Sequence, residues 1–88
     1  MTSPYEVRIS TRAARDLDRL PEKVAAACVA FSFGPLSDEP HRVGGHLTRQ
    51  LAGMRSARRD SYRIIHAVDD EFRRIDMIHI DHRGGVYR

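Results

Sequence analysis

Two strand-like runs joined by three acidic residues constrain this chain most. Ser61-Tyr62-Arg63-Ile64-Ile65-His66-Ala67-Val68 and the run from Arg73 to Asp81 are rich in β-branched and apolar residues, and they flank Asp69-Asp70-Glu71. Such a pattern predicts a β-hairpin. A lone hairpin is marginal in water, so other segments must cover one of its faces. With 88 residues only one core can form, and residues 1–88 are expected to make a single domain.

The N-terminal half supplies the cover. Tyr5-Glu6-Val7-Arg8-Ile9 alternates apolar and charged residues, which predicts a strand with one buried face. Ser10 and Thr11 offer N-caps for a helix from Arg12 to Leu20, with Ala13, Leu17 and Leu20 as its core stripe. Arg12, Arg15, Asp16 and Arg19 are expected to stay in water. Pro21 suits the first turn of a second helix running to Phe33, with Val24, Cys28 and Phe31 on one face. Gly34-Pro35 is expected to stop it. Residues 34–46 read as loop, Leu47 to Leu51 as a short strand or turn, and Met54 to Arg58 as a further strand. The predicted order is β-α-α-β-β-β, an α+β class in which a helix hairpin packs on one face of an antiparallel sheet.

Composition narrows the partners. An apolar fraction of 41% with 31% charged residues fits a folded domain rather than a disordered chain. Lys23 is the only lysine among 15 basic residues; the others are arginines, whose forked donors match phosphate. A GC-rich genome also favours arginine, so composition alone gives a lean toward an anionic partner and no more. Cys28 is the only cysteine, which excludes an internal disulfide and a cysteine-built metal site. Its neighbours Ala25, Ala26, Ala27 and Val29 mark it as a small buried helix residue. No metal-ligand spacing is present and no cofactor is implied. No apolar run reaches membrane-spanning length and no signal peptide is evident, so a cytoplasmic location is expected.

The cations gather near two strand ends. Arg55, Arg58 and Arg59 precede Arg63, and Ile75 to Ile80 leads into His82-Arg83-Gly84-Gly85-Val86-Tyr87. Exposed charges without function would look similar, but clustering beside Arg63 favours a polyanion site. Arg12, Arg15 and Arg19, at helical spacing, are explained by a solvated face. Tyr5 and Tyr62 read as packing residues.

Three segments together resemble the RelE family of bacterial toxin–antitoxin systems: residues Thr11 to Pro21, Ser56 to Arg63, and Asp81 to Tyr87. The resemblance spans essentially the whole chain. It implies an endoribonuclease toxin that cleaves mRNA in the ribosomal A site, held in check by a cognate antitoxin in a hetero-oligomer, with ribosomal RNA contacts and no membrane. By position it implies Arg63 holding the scissile phosphate, Arg83 stabilising the transition state and leaving group, and Tyr87 stacking on or orienting the nucleotide. Arg58 and Arg59 match a basic stretch along RNA, to which Arg55 and His82 are joined here. Met54 and Ser56 stand where members carry lysines, Asp60 where glycine is common, and Gly45-His46 where Lys-Pro is frequent. The related ParE branch implies a second possibility, a non-catalytic inhibitor that binds DNA gyrase. A degenerate toxin that only binds its antitoxin is a third.

Cleavage of RNA by its own 2′-hydroxyl needs a proton acceptor, donors for the anionic phosphorane, and a proton for the departing oxygen. Arginine fills the second role and is a poor base. Histidine is the conventional proton carrier. Strand alternation predicts Arg63, Ile65 and Ala67 on one face, with Ile64, His66 and Val68 on the other. In the last strand it groups Met77, His79, Asp81 and Arg83 opposite Ile78, Ile80 and His82. If the turn sets position 63 opposite 79, His79 is a candidate proton carrier; a backbone-bonded strand histidine is the alternative. His66 reads as a core histidine, and an active-site role for His82 stays open.

Overall fold

The structure is a computed structural model that describes residues 4–43, 45–46, 54–59 and 61–82. The element order is β1 (Glu6–Ile9), α1 (Thr11–Arg19), α2 (Glu22–Phe31), a π-helical turn (Ser32–Leu36), α3 (Pro40–Val43), β2 (Gly45–His46), β3 (Arg55–Arg59), β4 (Tyr62–Asp69) and β5 (Arg74–His82). The five strands form one sheet in the order β1-β5-β4-β3-β2. The α+β class is as expected, with helices over a largely antiparallel sheet.

The sheet departs from the expected antiparallel pattern at one edge. β1 runs parallel to β5, pairing Val7 with Ile75 and Ile9 with Met77. A parallel neighbour needs a crossover rather than a tight turn. The helical segment after β1 carries the chain to the far side of the sheet, from which β2 to β5 return as an antiparallel meander.

Gly34-Pro35 does not end the helical path. The segment continues as a π turn through Leu36. Proline lacks an N–H and in α register its ring meets the carbonyl four residues back; the wider π turn accommodates both. Ser32 Oγ donates to the Cys28 carbonyl at 2.7 Å inside this turn. Within the expected 34–46 loop, α3 and β2 form a short helix and a two-residue strand. Leu47 to Leu51 lie outside the described residues.

The core lies between the helices and the sheet. Ala13, Cys28, Phe31 and Leu36 meet Ala57, Tyr62, Ile64, Ile75, Met77 and Ile80, with Val7, Leu17, Leu20 and Val24 at its rim. Cys28 is fully buried, and burial pushes its thiol up to about 11 against the hydrogen bond from Ser32, so it is an inert packing group.

Ser10 couples β1 to α1. Its N–H extends the parallel ladder to the Met77 carbonyl at 3.0 Å. Its hydroxyl donates to the Ile78 carbonyl at 2.9 Å and accepts from the Ala13 N–H at 3.0 Å as the N-cap. The turn between β4 and β5 is closed by the Phe72 N–H on Asp69 Oδ1 at 3.1 Å, and Arg73 takes a left-handed φ of 49°. Nearby, Asp70 accepts from the Tyr5 hydroxyl at 2.6 Å and from the His41 ring at 2.7 Å, tying β1, α3 and this turn together.

Across β4 and β5 the ladder shifts. Ile65 pairs with His79 but His66 pairs with Met77, so Ile78 is an extra residue. Simple alternation, which set Met77 opposite Ile80, is overturned: both are buried. Arg63 accordingly faces Asp81, not His79. Among the described residues no strand pairs with the outer edge of β5 beyond Ile9, and α1 covers it. Asp16 Oδ2 accepts from the Ile80 N–H at 2.9 Å and from His79 Nδ1 at 2.7 Å. Asp16 was expected in water; instead its side chain is only 16% exposed. Burial acts to raise its carboxyl, but the Ile80 N–H, the His79 ring and Arg12 outweigh it and hold the group below its ordinary range.

Two stability predictions follow from these buried polar groups. Asp16→Ala leaves the Ile80 N–H and the His79 ring without their acceptor and should cost about 1–3 kcal/mol. Because the folded pKa is depressed, this contribution is present above a pH of about 4 and is lost as pH falls through the folded value. Thermal melts of both proteins should therefore converge in acid and diverge toward neutrality. His66 is fully buried, with Nδ1–H donating to the Ile64 carbonyl at 3.0 Å. Burial lowers its pKa, the Ile64 bond opposes this, and the Arg55 charge reinforces it. Its contribution is complete above the unfolded value of about 6.5 and declines as pH falls below it. Melting temperature should drop between about pH 7 and pH 5, and His66→Leu should flatten that slope.

Candidate nucleic-acid interface

The cations of β3 and β4 sort by strand alternation. Ala57 and Ile64 pair on the buried face, so their neighbours Arg58 and Arg63 pair on the face turned away from the helices. Arg58 is exposed and Arg63 half-buried. Like charges directly opposite each other on adjacent strands repel. The pair therefore concentrates positive charge on this face at some cost in stability. Asp81 stands on the far side of Arg63, on β5, and completes a row of two cations and one carboxylate across three strands. Only the shifted register brings Asp81 beside Arg63, so alternation along the strand does not announce the pair.

Arg59 points the other way. It is exposed, and its guanidinium lies 4.7 Å from the centre of the Phe31 ring on α2. Its partner across the ladder, Tyr62, is buried as the packing reading expects, and the Tyr62 hydroxyl donates to the Ala27 carbonyl at 3.3 Å. This anchors α2 to the end of the sheet from which the cations project. His82 pairs with Tyr62 and is half-buried at the same end.

Arg55 is placed differently from its expected position on an RNA surface. It is only 7% exposed and pairs with the buried His66. Four residues from Arg59 on the same strand, it belongs to the other end of the sheet, where its charge bears on Asp70 and His66. The surface cations of β3 are Arg58 and Arg59.

The histidines are mostly engaged. His66 is locked in the core, His41 bonds Asp70, and His79 bonds Asp16 at the sheet edge. With Nδ1 donating to Asp16, His79 retains Nε2 as its proton-accepting atom. It sits opposite Ile65, one diagonal step from Arg63, roughly 7–8 Å away between backbones. Asp16 is the residue that the sequence reading missed here; its signal was its place on the flank of the Ala13, Leu17 and Leu20 stripe. Among the described residues, no group of three His, Cys, Asp or Glu side chains is placed to hold a metal ion. Arg83, Tyr87 and Asp60 lie outside the described residues.

A sheet end that presents opposed guanidiniums can bind and orient a phosphodiester. Comparison with known proteins shows what the fold is similar to. Residues 7–87 match the family described as ParE toxin of type II toxin–antitoxin system, parDE. The chain is 55% identical over 85 residues to Toxin RelE of Mycobacterium tuberculosis, spanning 97% of this chain and 88% of that protein. Toxin RelG of the same organism is 51% identical over 85 residues, covering 97% and 98%. Among solved structures, the toxin–antitoxin complex RelBE2 of M. tuberculosis superposes with a TM-score of 0.90 at 51% identity, over 92% of this chain and 100% of that one. A mutant of the E. coli toxin RelE in the free state, 16% identical, shares the fold with a TM-score of 0.70 over 94% and 87% of the two chains. With the match running through nearly every element and two toxins more than half identical to it, the chain belongs to the ParE toxin family of type II toxin–antitoxin systems and is a toxin of the RelE type.

Proposed function

We propose that this toxin is a ribosome-dependent endoribonuclease that cuts mRNA in the A site by attack of a 2′-hydroxyl on the adjacent phosphodiester, and that a cognate antitoxin neutralises it in the cytoplasm. The observation that carries the reading is the pairing of Arg58 with Arg63 on the face away from the helices. A toxin that acted only by its shape has no need of two opposed cations there; a phosphodiester binder does.

In this reading Arg63 holds the scissile phosphate, Arg83 stabilises the phosphorane and the departing 5′-oxygen, and Tyr87 orients the nucleotide. Arg58 and Arg59 guide the RNA strand, with His82 beside them at the sheet end, while Arg55, buried at the other end, lies away from it. Each preorganised donor supplies on the order of 3 kcal/mol in such chemistry. His79, fixed by Asp16 with Nε2 open, is the proposed proton carrier. Asp81 tempers the charge of Arg63 and keeps the apo site from repelling itself.

The ParE branch of the resemblance keeps a binding-only inhibitor of gyrase as the second reading, and the family match gives it weight. One experiment separates the two. Transcript 5′ ends mapped after induction should show cuts at in-frame codon positions, and Arg63→Ala or Arg83→Ala should each lower cleavage by about 100-fold or more with melting temperature nearly unchanged. Intact transcripts with poisoned gyrase, or full growth arrest by the double variant, would overturn the nuclease reading.

A further inference from the structure

At the end of the sheet two rows of side chains stand back to back. Directly opposed residues on neighbouring strands point to one face, and successive residues on a strand point to opposite faces. Arg58, Arg63 and Asp81 make the row on the face away from the helices. One residue away on each strand, Arg59, Tyr62 and His82 are paired in turn and make a second row on the helix side. This inner row borders an open recess of about 350 Å³, lined by Ala27, Ala30, Phe31, Pro35, Arg59 and Tyr62. Such a volume falls near the lower end of the range for small-ligand sites, about 300–1,000 Å³. Arg59 supplies its charge. The guanidinium lies on the Phe31 ring, the residue is exposed, and among the described residues it forms no ion pair. With one side against a phenyl ring, a guanidinium offers its other side as a stacking plane for a flat heterocycle.

From this arrangement we infer that the recess is a nucleobase subsite: the base of a nucleotide adjoining the phosphate at Arg58 and Arg63 turns over the end of the sheet and stacks on Arg59. The inference deepens the cleavage reading above and rests on it, and the contact is separate from the one given there to Tyr87. Arg58 and Arg59 are consecutive, so a strand anchored by the first passes beside the second. Methyl groups and the Phe31 ring give the base an apolar wall, and His82, in the same row, brings a ring nitrogen for its polar edge. Stacking accepts any base, so the subsite selects an unstacked, bent strand and not a sequence. A base held on one face of the sheet and a phosphate on the other fix the backbone between them, which limits the orientations open to the attacking 2′-hydroxyl.

The test uses the full chain and ribosomes programmed with a synthetic mRNA that carries one abasic ribonucleotide, placed in turn on either side of the scissile phosphate. An abasic ribose keeps the 2′-hydroxyl and the phosphate and removes only the base. Two toxin variants are compared with the unsubstituted chain. Ala30→Trp fills the recess from an exposed position, and Arg59→Lys keeps the charge while removing the stacking plane. At one of the two flanks the unsubstituted toxin should lose roughly tenfold in kcat/KM on the abasic mRNA. Each variant should lose a similar factor on intact mRNA and nothing further on the abasic one, because the same contact is removed twice. Melting temperature should stay unchanged. Losses that multiply as independent factors, or abasic mRNAs cut as fast as the intact one at both flanks, would overturn the subsite while leaving cleavage intact. Weaker binding of the paired antitoxin by both variants, with their cleavage unchanged, would overturn it and assign the recess to protein. Programmed ribosomes left uncut by the unsubstituted toxin would overturn the cleavage reading itself.

Discussion

Between the Ile65–His79 and His66–Met77 pairs, the β4–β5 ladder passes over Ile78, and most of the molecule's arrangement depends on that extra residue. A one-residue change of phase moves every later side chain to the other face of a strand. Before the shift Ile75 and Met77 point into the core; after it, Ile80 does. Without the bulge, Ile80 and Met77 would lie on opposite faces and the helices would lose one of their contacts. The same shift aligns Asp81 with Arg63 and puts His79 at the sheet edge, within reach of α1. The bulge therefore sets the core and the charged row together.

At that edge the parallel strand β1 ends and α1 takes over. Ser10 is the joint, since one residue extends the β1–β5 ladder and caps the helix. Two turns further on, Asp16 satisfies the Ile80 N–H, which among the described residues no strand covers. An exposed sheet edge invites pairing with other chains, and a helix with an inward carboxylate closes it. The carboxylate is worth retaining in a small domain because it serves a backbone donor and a histidine at once. Burial alone would favour its protonated form, and those two donors reverse the balance.

Much of this was legible because it follows from local pattern. Alternation in β1 and β4, the helical stripe of Ala13, Leu17 and Leu20, and the acidic turn each report their element within a few residues. The parts that resisted reading depend on long-range pairing. Met77-Ile78-His79-Ile80 has apolar residues on both phases, so it does not announce which one is extra. Gly34-Pro35 carries every local mark of a helix end, but a π turn tolerates the proline while Leu36 is drawn into the core. Arg55 and Arg58 look alike in sequence; they separate only because position 55 falls on the inner face of β3 and position 58 on the outer. Asp16 looked like one more charged residue on a wet helix face, since nothing in α1 tells of the open edge of β5.

The histidines bear on how the proposed cleavage would run. His66 is held neutral by burial, and His41 is bonded to Asp70 near the β4–β5 turn. Arg63 lies at the other end of β4, near the start of that strand, with Arg58 opposite it on β3. Neither histidine is therefore placed to take a proton from a hydroxyl held by Arg63. His79 comes nearer, but it is bound at the edge through Nδ1 and must act through Nε2. Met54 and Ser56, ahead of the tyrosine–arginine pair, add no cation or base. In the proposed cleavage, a site with these fixed cations and so few placed histidines would lower its barrier chiefly through charge and alignment. Alignment of a flexible single strand is costly for an 88-residue domain to impose alone. A ribosome that already holds the codon in place would supply that ordering, which is a physical reason for such a toxin to work on bound mRNA and not on free RNA.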